Sequence, residues 1–207
     1  MLHLCCLLPT SLAPCQIIII IITFCPVSLQ FVIDTSESIA LHYLPPGGLV
    51  KQGAIDITWE MGGLHFSDRV EHFSSVTSNQ KEFIDRLLKI QYIGKGTFTD
   101  CALANMTAAM ATQASKNTRV RFAVVITDGH VTGSPCGGIK VTAERARDAG
   151  IKLFAVAPTT STYESGLKEI ANNPSELFRN NYQAVLTSIS KAAFEILTQL
   201  TTPWPYT

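Results

Sequence analysis

Asp34, Ser36 and Ser38 stand at alternate positions in "FVIDTSES", directly after a run of apolar residues. A second acid, Asp128, ends another apolar run in "RVRFAVVITDG", and Thr97 sits between them in the loop sequence "GKGTFTD". Alternate residues of an extended segment point to one side, so Ser36 and Ser38 can face one ligand together. Two carboxylates and three hydroxyls, with no nearby His or Cys, make a hard oxygen donor set. Mg²⁺ takes such donors in octahedral geometry and keeps some of its waters. The protein ligands are too few to close the shell, which leaves one position for a partner's carboxylate. The competing reading is plainer: Ser36 and Ser38 cap a following helix.

The elements that must position these residues alternate. "CPVSLQFVID" (25–34) is a continuous apolar run ending in an acid, as expected of a central strand buried on both faces. Residues 54–68 alternate, with Ile55, Ile57, Trp59 and Met61 on one side, which predicts a half-buried strand. Gly62 and Gly63 predict a bulge within it. Ser67 and Asp68 make a turn, and residues 69–73 return as a short antiparallel partner. Asn79 followed by Glu82 predicts a capped helix with Phe83, Ile84, Leu87 and Leu88 on its apolar face. Residues 99–114 form a helix with Leu103, Met106 and Met110 on one side. A buried strand over 119–129, a helix over 138–150, a strand over 151–158 and helices over 163–171 and 182–200 complete the pattern.

This order predicts an α/β fold: a doubly wound, mostly parallel sheet with one short antiparallel edge strand and helices on both faces. Ligands of such sheets bind beyond the carboxyl ends of the strands, at the topological switch point. Asp34 and Asp128 both fall at strand ends, and they meet there if their strands are neighbours.

The 16 basic and 16 acidic residues balance, which argues against a nucleic-acid partner. Residues 1–24 carry no charge and are expected to be a leader, either signal-like or not native to the domain. Membrane contact is expected only if this segment is an uncleaved anchor. Of the 6 cysteines, Cys5, Cys6 and Cys15 lie in that leader. Cys25, Cys101 and Cys136 remain, with no CxxC pair or His cluster to indicate zinc. "GKGT" lacks the spacing of a phosphate-binding loop. His130, beside Asp128, reads as a surface or partner-contact residue. An aspartyl-phosphatase reading fails because Ser36 stands where a second acid is required, leaving no acid–base pair.

The set "DTSES", "GTFTD" and "ITDG" resembles the metal-ion-dependent adhesion site of a von Willebrand factor type A domain. Carried over residue by residue, the resemblance implies Mg²⁺ at Asp34, Ser36, Ser38, Thr97 and Asp128, with Mn²⁺ or Ca²⁺ as alternatives. The serines and the threonine then coordinate directly or nearly so, and the acids often act through water. "DCALANMT" and "TDGHVTGSPCGG" further resemble the A domains of type VI collagen chains over roughly residues 25–200. That implies a secreted, non-enzymatic module of the extracellular matrix, binding matrix proteins or collagen chains through an acidic side chain. It also implies a disulfide between Cys101 and Cys136, two free thiols being the alternative. Cys25 would pair with a cysteine that this sequence lacks. "NMT" at 105–107 makes Asn105 a candidate N-glycosylation acceptor.

Two departures stand out. The region 39–53, where the family carries a long helix, is shortened and broken by Pro45 and Pro46. Residues 201–207 form a tail with no Gly-X-Y tract. A purely structural module with a silent metal site is therefore the alternative to the adhesive one.

Overall fold

The computed structural model describes residues 25–36, 57–113, 120–158 and 160–179. The expectations for the leader, Ser38, region 39–53, helix 182–200 and tail 201–207 lie outside the described residues, as does the side chain of Cys25.

In chain order the elements are β1 (Cys25–Asp34), β2 (Ile57–Phe66), β3 (Val70–Thr77), α1 (Gln80–Leu87), α2 (Thr99–Gln113) and β4 (Val120–Ile126). Then follow α3 (Ile139–Asp148), β5 (Ile151–Ala157), α4 (Glu164–Ala171), a 3-10 turn (Pro174–Glu176) and β6 (Leu177–Arg179). The strands form one six-stranded sheet in the order β3-β2-β1-β4-β5-β6. Among the described residues only the β2–β3 pair is antiparallel. The α/β sheet with one antiparallel edge strand is thus the observed fold. β6 is too short for any periodicity to have announced it.

Because β1 lies between β2 and β4, successive connections leave it in opposite directions. The switch point is therefore the β1–β4 junction, where Ile33 pairs with Ile126. Alternation along β1 sends Leu29, Phe31 and Ile33 to one face and Val32 to the other. Buried side chains of α2, α3 and α4 pack on the Val32 face with Val125, Leu153 and Ala155. On the opposite face Phe83 of α1 stacks at 5.5 Å from both Phe31 and Phe73. Each such burial contributes about 1.5–3 kcal/mol.

Two local expectations differ from the structure. From Met61 onward β2 is not half-buried: Met61, Leu64, His65 and Phe66 are all buried, while the side chains of residues 57–59 lie outside the described ones. Both of its faces are covered, Leu64 and Phe66 by Leu103 and Met106 of α2 and Met61 by the cluster that holds Phe83 of α1; the pairing with β3 shifts register around Gly63. Leu88 does not join the apolar face of α1. It caps the helix and is 62% exposed, whereas Phe83 and Leu87 are buried. One residue past Leu87 is a rotation of about 100°, which turns its side chain off the sheet. The start of α1 follows expectation, with Asn79 Oδ1 accepting from the Glu82 N–H at 3.1 Å.

Candidate metal centre

Asp34 is the last residue of β1, and Ser36 follows two residues beyond it. The Asp34 carboxylate is held on both sides. Its Oδ1 accepts from the Ser36 N–H at 2.9 Å, and its Oδ2 accepts from the Thr127 hydroxyl at 2.5 Å. Thr127 comes directly after β4, so this bond spans the switch point. The next residue, Asp128, accepts the His130 N–H on its Oδ1 at 2.8 Å.

Thr97 reaches the same edge through a loop stitched to three neighbours. The Gly94 N–H donates to the Thr35 carbonyl at 3.4 Å, and the Phe98 N–H donates to the Ser67 carbonyl at 2.9 Å. The Ser67 hydroxyl is bonded to the Gly94 and Gly96 carbonyls. The Thr97 N–H donates to Thr132 Oγ1 at 2.7 Å, while the Thr132 N–H returns to the Thr97 carbonyl at 3.3 Å. Gly96 has to lack a side chain, since a Cβ there would stand 2.7 Å from Thr132 Oγ1.

Asp34, Ser36, Thr97 and Asp128 are each no more than 2% exposed. Burial pushes the Asp34 carboxyl up from 3.8 to about 6. Hydrogen bonds from the Ser36 hydroxyl, Thr127 and the Ser36 N–H oppose the shift, and the negative charge of Asp128 adds to it. Two buried acids that repel each other, among hydroxyls, are a donor set that fits a hard divalent cation. Four of the five expected ligand residues are thus gathered at one edge; Ser38 is the fifth, outside the described residues.

Cys101 and Cys136 are joined by a disulfide, with a sequence separation of 35. Closing a loop of that length stabilises a fold by about 3–4 kcal/mol. Asp100 lies beside both sulfurs, but bonded sulfurs offer no thiolate to a metal. Asn105 is exposed on α2, where its Nδ2 donates to the Cys101 carbonyl at 2.9 Å. His130 is partly exposed, its ring 4.6 Å from that of Tyr163.

Three residues of this edge escaped sequence reading: Thr127, Thr132 and Asp100. Thr127 had a signal, being the hydroxyl just before the strand-ending acid in "ITDG". Thr132 and Asp100 had none, because their partners come from segments remote in the chain.

The doubly wound sheet and the oxygen-lined switch point define a class. The von Willebrand factor type A domain profile matches residues 29–192, and the chain belongs to that family. It is 52% identical over 178 residues to the chicken (Gallus gallus) collagen alpha-2(VI) chain, covering 77% of this chain and 17% of that one. It is 33% identical over 199 residues to the human collagen alpha-1(VI) chain, covering 84% and 19%. The chain therefore spans less than a fifth of the length of these relatives. Among solved structures, manganese-loaded Plasmodium vivax TRAP protein superposes with a TM-score of 0.60 at 14% identity, covering 79% of this chain and 72% of that one. BatB from Bacteroides thetaiotaomicron gives 0.60 at 17% identity, covering 83% and 98%. At such identities the likeness is one of fold. Among the described residues no helix is long and apolar enough to cross a membrane.

Proposed function

We propose that this chain is a secreted, non-enzymatic binding and assembly module of the extracellular matrix, of type VI collagen kind, acting through a divalent cation held at the β1–β4 switch point. The observation that carries this reading is the burial together of Asp34 and Asp128 with Ser36 and Thr97, an all-oxygen set at the ligand-binding edge of the sheet.

Ser36, Ser38 and Thr97 supply hydroxyl oxygens to the ion. Asp34 and Asp128 balance its charge and orient its waters, their own orientation set by Thr127 and the His130 N–H. When bound, the cation supplies a Lewis-acidic open position that takes a carboxylate oxygen. The partner is accordingly a matrix protein or collagen chain presenting an Asp or Glu side chain. Mg²⁺ is the ion of choice, and Mn²⁺ is its spectroscopic substitute. Residues 1–24 serve as the export segment, and Asn105 is the carbohydrate acceptor.

A second reading, a purely structural module with a silent site, is favoured by one observation. Both oxygens of Asp34 already accept hydrogen bonds within the protein. Thermal unfolding of the full chain, with Mg²⁺ and with a chelator, separates the two. A ligand that binds only the folded state stabilises it by about 2.7 kcal/mol at a hundredfold excess over its Kd. An upward shift with Mg²⁺ supports the adhesive reading, and a cooperative transition indifferent to Mg²⁺ supports the structural one.

A further inference from the structure

Asp100 is fully buried, and no Lys or Arg pairs with it among the described residues. Its charge is met by backbone instead. Oδ1 accepts from the Cys101 N–H at 2.9 Å, and Oδ2 accepts from the Cys136 N–H at 2.7 Å and the Gly138 N–H at 3.0 Å. Asp100 lies in the first turn of α2, and Gly138 is the N-cap of α3. One carboxylate therefore sits at the N-termini of two helices, where the backbone dipoles favour negative charge.

The consequence is geometric. Thr97 lies just before α2, and Asp128 begins the loop that ends at Gly138. Asp100 and the Cys101–Cys136 disulfide pin the far end of that loop to α2. The Thr97–Thr132 pair of hydrogen bonds pins its middle. The two expected ligands on this side thus belong to segments locked together at three points, although neither Asp100 nor Thr132 belongs to the expected ligand set.

We propose that Asp100, with Thr132, is a positioning residue for the candidate metal centre, setting the placement of Thr97 relative to Asp128. The inference rests on the adhesive reading above. Groups that orient metal ligands from behind are typically responsible for a 10- to 100-fold share of affinity.

The test is Mn²⁺ affinity of the full chain, measured beside chelator-state unfolding and amide hydrogen exchange at Thr97. Asp100→Ala and Thr132→Val are expected to weaken Mn²⁺ binding by about 10- to 100-fold while unfolding stays cooperative. Thr97 amide exchange should rise in the metal-free Thr132→Val chain. Thr132→Ser keeps the acceptor oxygen and should restore both properties. If Asp100→Ala does not fold, the Thr132→Val and Thr132→Ser pair decides alone. Folded variants with wild-type affinity would overturn the positioning role and leave the metal site standing. A wild-type chain that takes up no Mn²⁺ would instead overturn the adhesive reading, and this inference with it.

Discussion

The Thr127 hydroxyl donates to Oδ2 of Asp34 at 2.5 Å, linking two strand ends that lie 93 residues apart in sequence. That bond holds a buried carboxylate at the one place where the sheet's connections diverge. Thr127→Val keeps the shape and removes the donor. Losing a hydrogen bond to a charged group costs about 1.5–3 kcal/mol. Urea unfolding should show that loss, and Thr127→Ser should recover most of it. An unchanged midpoint for Thr127→Val would mean the bond does not hold Asp34 in solution.

The metal-free chain should also lose stability as pH rises through the Asp34 titration. Its folded value of about 6 lies above its ordinary 3.8, so the folded state binds the proton more tightly. The associated stability is fully present below about 4 and is lost as pH rises through about 6, a change of about 3 kcal/mol. His65 works in the opposite sense. Burial lowers its value from 6.5, against the pull of Glu71, so its contribution falls away as pH drops below its ordinary range. The difference between wild type and Asp34→Asn, measured in chelator from pH 4 to 7, isolates Asp34. A difference that does not vary with pH would contradict the assignment.

Gly129 allows the turn that follows Asp128. Its φ of 84° favours glycine, and a Cβ there would meet the Tyr163 carbonyl oxygen at 2.4 Å. A left-handed non-glycine residue alone costs about 1–2 kcal/mol, and the clash adds to it. Gly129→Ala should therefore lower stability by at least about 2 kcal/mol. Denaturant unfolding checks this; a loss well below 1 kcal/mol would mean that α4 readily moves away.

Much of this architecture was legible because parallel strands buried on both faces read as apolar runs, and Asp34 and Asp128 end two of them. Helix placement followed from local signals such as Asn79 with Glu82. Legibility failed where a contact depends on chain segments far apart. Leu64 and Phe66 are buried on the face opposite Met61 because α2 covers it, which alternation within 54–61 alone does not announce. Leu88 carries an apolar side chain, but the helix ends before it. Asp100 takes N–H groups from Cys136 and Gly138, 36 and 38 residues away, a relation that no local pattern encodes.

The central claim is that a cation binds at Asp34 and Asp128, and its most direct test is Mn²⁺ titration calorimetry on the full chain. Asp34→Ala and Asp128→Ala should be titrated in parallel, with cooperative unfolding in chelator as the control for folding. The account predicts one saturable site in the wild-type chain and its loss in both variants. Absence of saturable binding in the wild-type chain, or undiminished binding in both folded variants, would contradict it.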